Sequence, residues 1–454
     1  MVERLGWRFA KLWAAGTTSA LGSGLTMIAA PLLVASRTSN PVLVSATFGV
    51  AWLPWLLFAL PGGVLVDRVD RRRLMIVIDW VRVAAMGILA TAILTGHASI
   101  ALLYAVLFLI NAGEIVFRSA SQAMIPSVVP RVLLERANGW LVGGGTLMQG
   151  MIAGPLGGFL FVVAVSAPFF VNAATYAVSA VLIGLVAGAY RAPLPAEPTA
   201  GDRGLRRERS VRAEVAEGFR WLVGQRLLRT MAVLIGLLNL TLTAATAVLV
   251  LLAKDRLHLG SVGYGLLFTC MAAGGILGSV VGDRLIRLVT ATWTIRIGLL
   301  IEAGMHLTLA ASRSAYLIGF ALFAFGVHGA LWGIVGSSLR QRLTPPAMLG
   351  RVGSTTLFIA AGGNCVGAVL GGVIATKFGL TAPYWAGFAV AIIVSAATWR
   401  VFDRAAVARA YAEPAPRLPA EPPAGPGPSA PAPPEQPGDA GETDDAGERG
   451  EHDA

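Results

Sequence analysis

The chain has 454 residues, of which 55% are hydrophobic and only 13% charged, and it carries a formal net charge of +11; its pI is near 10.4 and its mean hydropathy +0.69. Soluble domains contain about 25% charged residues, so a soluble globular fold is excluded and a polytopic membrane protein is expected. A basic pI also suits a nucleic-acid binder, but here the cations cluster at the ends of apolar runs, which excludes that reading as well.

A crossing needs about 20 predominantly apolar residues. Six such runs are predicted at 11–36, 42–66, 74–95, 99–122, 139–164 and 168–190, and six more at 229–253, 261–282, 291–311, 315–338, 352–376 and 381–402. Placing the N-terminus, with Arg4, Arg8 and Lys11, in the cytoplasm gives the inside loops Arg68, Arg71 to Arg73, Arg131, Arg136, a run from Arg191 to Arg229, Arg284, Arg287, Arg340, Arg342, Arg351, Arg404 and Arg409. The outside loops keep only Arg37, Lys254, Arg256, Arg313 and Lys377. That asymmetry predicts a cell (inner) membrane protein with both termini cytoplasmic. The first run is too long for a cleaved signal and is expected to serve as an uncleaved one.

In chain order, span 1 carries Ser19, Ser23 and Thr26 on one face. The loop after span 2, "GGVLVDRVDRRRLM" from Gly62 to Met75, packs six charges between Asp67 and Arg73, two of them carboxylates. A purely basic anchor explains the arginines but not Asp67. Span 3 holds Asp79 and Arg82. In span 4, Asn111, Glu114, Arg118 and Gln122 recur at spacings of three and four and share one helical face. A charge at a span centre costs about 2.5 to 3.5 kcal/mol and is retained mostly for function. Glu114 is therefore the candidate proton carrier, with a structural pair to Arg118, one turn away, as the competing reading.

Span 5 contains "GMIAGPLGG", from Gly150 to Gly158: Gly150, Gly154, Gly157 and Gly158 permit close helix approach, and Pro155 removes a backbone donor. A connector at 191–228 begins with a Pro/Gly-rich linker and continues as "SVRAEVAEGFRWLVGQRLLRTM", whose helical apolar spacing predicts an interfacial helix. Span 7 presents Asn239, Thr243 and Thr246 on one face. Glu302 and His306 in span 9, and His328 and Trp332 in span 10, are each one turn apart. Cys270 and Cys365 fall in spans 8 and 11 and read as small apolar side chains, not a disulfide framework. Residues 405–454 include a Pro-rich, acidic stretch without aromatic residues from Glu413 onward and are expected to form a disordered cytoplasmic tail. No metal-ligand spacing and no Walker-type phosphate loop is present, so neither a metal nor ATP is expected.

The two halves, 1–190 and 229–404, repeat each other. "GMIAGPLGG" answers to "GNCVGAVLGG" (Gly363 to Gly372), "PRVLLER" from Pro130 to "PPAMLGR" from Pro345, and "GVLVDRVDRR" to "GSVVGDRLIR" from Gly278, at offsets of about 213 to 217 residues.

Twelve spans, a long central loop and duplicated halves resemble the major facilitator superfamily, over about residues 5 to 405. Gly63, Asp67, Arg68, Arg71 and Arg72 match its loop motif between spans 2 and 3, Gly-x3-Asp-Arg-x-Gly-Arg-Arg, with Asp70 in place of the second glycine. The resemblance implies an all-α membrane protein of two pseudo-symmetric six-helix bundles. It also implies that Asp67 sits near Gly353 and Ser354 at the start of span 11, a latch between halves while the cavity faces outward. The span 5 stretch is similar to the signature of the superfamily's antiporters, with one residue, Leu156, where two are usual. Spans 1, 4, 7 and 10 line the cavity in this superfamily, which implies cavity positions for Ser19, Ser23, Thr26, Asn111, Gln122, Asn239, Thr243, Thr246, His328 and Trp332. Spans 3 and 9 are peripheral, so Asp79–Arg82 and Glu302–His306 read as structural pairs. Within the superfamily, "SQAMIPSVVPRVLLERANG" and "EGFRWL" resemble the branch holding macrolide-efflux proteins and enterobactin exporters.

The expected function is proton-driven efflux of a hydrophobic or amphipathic, drug-like small molecule by alternating access, with the proton-motive force as sole energy source, no cofactor and no enzymatic activity. Export of an endogenous metabolite such as a siderophore, lysolipid flipping, and a transport-inactive membrane sensor are the alternatives. The expected partners are the small-molecule substrate and the lipid bilayer, with no nucleic acid, and the chain is expected to be a monomer.

Overall fold

The computed structural model describes residues 5–58, 69–188, 190, 211–403, 405 and 409–411. Regular structure among the described residues is entirely helical. Among the described residues, eleven segments are long and apolar enough to cross a membrane: Gly6–Arg37, Pro41–Phe58, Arg71–Leu94, Ile100–Val128, Arg131–Val163, Ala167–Gly184, Arg226–Arg256, Ser261–Val289, Ala291–Ala311, Ala315–Leu343 and Leu349–Phe378. These are spans 1 to 11, and the shorter apolar helix Ala382–Thr398 takes the twelfth position. Large apolar side chains such as Ile88, Val162, Val280, Leu288 and Phe320 remain more than half exposed on the outer surface. In water such a surface would be a liability; in lipid it is the expected face.

Capping fixes several helix starts. Ser99 accepts from the backbone N–H of Leu102, and Ser314 from that of Leu317, at the starts of spans 4 and 10. Asp70 caps span 3 by accepting from the Arg73 N–H at 2.9 Å. Its second oxygen accepts from the N–H of Tyr190, just beyond span 6. The carboxylate standing where the superfamily prefers glycine thus ties two helix ends together. The expected interfacial helix stops at Gly224, and span 7 already begins at Arg226, because Gln225 is extended between them. Glu217 on this connector helix pairs with Arg351 at the start of span 11, at 2.7 Å.

The halves touch mainly where span 2 meets span 11 and span 5 meets span 8, with smaller contacts of span 7 on spans 1 and 2. Their cores differ at the two ends. At the end away from Gly6, one continuous apolar core runs through both halves, from Ile28, Leu33 and Leu89 to Leu251, Tyr264 and Leu309. At the end near Gly6 the core is divided: one cluster around Leu12, Met75 and Phe117 belongs to the first half, and others around Leu234 and Leu339 and around Leu222 and Val352 belong to the second. The bundle is closed at its far end and parted at the end carrying Gly6.

Candidate functional site

Between the halves lies a cavity of two lobes, about 420 and 560 Å³, sharing Met27, Glu114, Arg118, Gln149, Phe268 and Met271. Volumes of 300 to 1,000 Å³ are typical of small-molecule sites. Glu114 stands near the middle of span 4 and reaches both lobes.

The partner of Glu114 is Arg82 and not Arg118. Arg82 Nη2 donates to Glu114 Oε2 at 2.7 Å, and Nη1 lies 3.4 Å from Asp79 Oδ1. Nε and Nη2 also donate to the Ile110 carbonyl, at 3.2 and 3.1 Å, and Ser179 donates to the other oxygen of Asp79 at 2.6 Å. The guanidinium stacks 4.9 Å over Tyr176 and 5.6 Å over Phe117. Arg82 and Asp79 are buried, while Glu114 keeps 25% of its side chain open to the cavity. Gly113 makes the approach possible, because a Cβ there would sit 2.8 Å from Arg82 Nε. Asp79 and Arg82, expected as a separate structural pair in span 3, therefore form one network with Glu114. The pairing joins residues 32 apart on adjacent helices, which helix periodicity does not reveal.

Arg118 points elsewhere. Its guanidinium lies 5.7 Å over the Trp55 ring of span 2, it is exposed to the cavity, and no carboxylate pairs with it among the described residues. Ser23, Thr26, Asn111, Asn239, Thr243 and Thr246 all line the first lobe and Gln122 the second. Most of these polar groups are already engaged within the protein. Asn172 Nδ2 donates to Thr26, Thr243 donates to Asn364 Oδ1, and Ser23 shares a hydrogen bond with the Tyr176 hydroxyl. Asn111 and Asn239 donate to carbonyls one turn back, at Leu107 and Ile235. Ser19 is buried off the cavity wall.

His328 and Trp332 do not line the cavity either. His328 is buried against Glu302, Nε2 to Oε2 at 3.8 Å, with Trp332 and Phe325 about 6 Å from its ring. Glu302 thus pairs with span 10 and not with His306, its expected partner; His306 packs against Gly387 of span 12 instead. Each half therefore buries an acid–base contact between its third and fourth spans.

The span 5 glycines build a seam. Gly150, Gly154 and Gly158 face span 8: Cβ atoms added there would lie 2.9 Å from Ala272 Cβ, 2.5 Å from the Gly265 carbonyl oxygen and 2.3 Å from that of Ser261. Gly157 faces Leu25 and Ile28 of span 1. Upstream of Pro155 the helix widens into a π turn over Thr146–Ile152. Proline leaves the Met151 carbonyl without its usual donor, and Thr269 of span 8 supplies one at 3.2 Å. At the far end Lys254 of span 7 donates to the Ala35 carbonyl near the end of span 1, across the halves, at 3.3 Å.

Of the loop motif, Gly63, Asp67 and Arg68 lie outside the described residues. Arg71 donates to the Ala123 carbonyl of span 4, and Arg72 to the Ile183 and Gly184 carbonyls at the end of span 6. These two arginines staple the first half to itself. Trp52, Trp55, Tyr176 and Asn364, which line the cavity, and Thr269, which serves the adjoining seam, are residues that sequence periodicity passed over. The three-residue spacing of Trp52 and Trp55, one turn beyond Phe48, is the signal that would have marked span 2 as a cavity wall.

A family model described as transmembrane secretion effector matches residues 7–423. Macrolide efflux protein A of Streptococcus pyogenes is 27% identical over 133 residues, 29% of this chain, and the chain spans 33% of that relative's length. Enterobactin exporter EntS of Escherichia coli O1:K1 / APEC is 24% identical over 396 residues, 85% of this chain and 89% of that protein. A bacterial homologue of the iron transporter ferroportin, solved in its inward-facing state, shares the fold with a TM-score of 0.67 at 15% identity, covering 87% of this chain and 99% of that one.

Proposed function

The chain belongs to the transmembrane secretion effector family of the major facilitator superfamily, and from that premise we propose that it is a secondary active exporter that exchanges an amphipathic small molecule for protons by alternating access. The observation that carries the reading is Glu114: a carboxylate near mid-span, open to both lobes of the cavity and hydrogen-bonded to a fully buried arginine.

Arg82 is buried beside Glu114 and Asp79, and a buried guanidinium is stable only with its counter-charges in place. A proton arriving on Glu114 from the cavity removes one of those charges and weakens the tie between spans 3 and 4. Proton occupancy thereby acts on the packing of the first half, which is what a coupling site must do. The ionisable groups around Glu114 are Asp79, Arg82, Tyr176 and Arg118.

The divided core near Gly6 and the joined core at the far end support one of the two access states. The arginine-rich loops favour a cytoplasmic position for the parted end, so this state loads cargo from the cytoplasm. Closing that end requires the seams at Gly154–Gly265 and Lys254–Ala35 to part. Each inward proton contributes about 2.3 kcal/mol per 100 mV of potential. The energy source is the proton gradient alone, the membrane is the cell's inner membrane, and the working unit is the monomer.

The test is flux in proteoliposomes of known orientation under an imposed pH gradient, with anionic, neutral and cationic amphipathic fluorophores, for wild type and Glu114→Gln. The reading expects gradient-driven accumulation of at least one probe. In the variant that accumulation is lost while gradient-independent exchange persists. Accumulation equal in wild type and variant contradicts the coupling role of Glu114, and absence of flux with every probe contradicts export.

A further inference from the structure

The two charges on the cavity wall among the described residues are Glu114 and Arg118, and they are not equivalent. One oxygen of Glu114 is taken by Arg82 at 2.7 Å. Arg118 has no carboxylate partner and donates no hydrogen bond among the described residues, although it is exposed to the cavity. Its guanidinium lies over the face of Trp55, at 5.7 Å. The guanidinium thus lies over an aromatic face while its five N–H donors remain available, and a guanidinium fork fits a carboxylate. The same lobe is lined by Phe48, Trp52, Tyr176 and Phe268, with Met27 and Met271 as adaptable fillers.

We propose that the cavity is a site for aromatic organic acids, in which Arg118, oriented by Trp55, binds the anionic group and the surrounding rings bind a flat apolar body. This rests on the reading of the cavity as the cargo site and narrows it. The lobe of about 420 Å³ accommodates two or three fused rings. Because Arg118 has no carboxylate partner among the described residues, an anion bound there would supply its counter-charge through charge-assisted hydrogen bonds. The hydroxyls of the same lobe, on Thr26, Thr243 and Ser23, are already bonded within the protein and offer a cation little in return.

An isosteric trio separates charge from shape: 9-anthracenecarboxylate, 9-anthracenemethanol and 9-(aminomethyl)anthracene, titrated onto the full-length protein in lipid nanodiscs with no pH gradient. The carboxylate is expected to bind at least tenfold more tightly than the other two. In Arg118→Gln that preference falls below threefold, and in Arg118→Lys part of it returns. Trp55→Leu weakens all three ligands while the acid stays first. Lysophosphatidylglycerol, which carries an anionic group on an acyl chain, is expected to leave the bound acid in place at equal concentration. Equal binding of the amine, a preference surviving Arg118→Gln in a variant that melts as wild type does, displacement by the lysolipid, or no binding of any of the three would each overturn the proposal. Binding with the expected preference but without proton-driven flux leaves this site standing and refutes only the antiport reading.

Discussion

Replacing Arg82 by Gln is the sharpest perturbation of the buried network. The guanidinium donates to Glu114, Asp79 and, twice, the Ile110 carbonyl. Glu114 can turn to the cavity and hydrate, because a quarter of its side chain is already open there, but Asp79 has no exposed surface. Removing one partner of a buried ion pair costs about 3 to 5 kcal/mol, and nearly all of it should arise at Asp79, which keeps only the Ser179 hydroxyl. Arg82→Gln is therefore expected to lose about 3 to 5 kcal/mol of unfolding free energy in SDS titration followed by far-UV circular dichroism. The double variant Asp79→Asn/Arg82→Gln removes the stranded charge and should recover all but about 1 to 2 kcal/mol, the scale of ordinary lost hydrogen bonds. An Arg82→Gln protein within about 1 kcal/mol of wild type, or a double variant no better than the single one, would refute the reasoning, since either lies well below the cost of a stranded buried charge.

Three further predictions concern the seams. Lys254→Met removes the charged donor to the Ala35 carbonyl; a loss of about 1.5 kcal/mol raises the population open at the far end roughly tenfold. Reaction of a cysteine at Gln149 with an impermeant maleimide added on that side reads the change. Gly154→Val puts a side chain where only 2.5 Å separates a Cβ from the Gly265 carbonyl oxygen. Flux should vanish while far-side reactivity of the same cysteine rises, because the seam can no longer close. Thr269→Val strips the donor from the Met151 carbonyl that Pro155 leaves unpaired; the expected cost is about 1 kcal/mol, seen as a smaller far-side shift than that of Lys254→Met.

The spans were legible because each is a long apolar run, and the duplicated glycine stretches in spans 5 and 11 announced the two halves. The polar stripe Asn111, Glu114, Arg118 and Gln122 was legible too, since one helix dictates its own faces. What was hidden is which helix meets that face. Arg82 and Glu114, like Glu302 and His328, belong to neighbouring helices whose relative rotation is set by glycines such as Gly113 and Gly298, and a single-helix period carries no such information. For the same reason Trp55 was invisible as the partner of Arg118 and His306 looked like the partner of Glu302. Asp70 could be noticed as a departure from the superfamily motif, but its grip on the Tyr190 backbone depends on a helix end more than a hundred residues away.

The account is tested most directly by pulsed electron–electron resonance between spin labels at Val132 and Leu288, exposed positions at the parted ends of spans 5 and 8. Wild type should show two distance populations whose ratio shifts reversibly when the sample is acidified, and Glu114→Gln should show both populations at a ratio that no longer follows pH. A single distance at every pH, or a variant that titrates as wild type does, would contradict it.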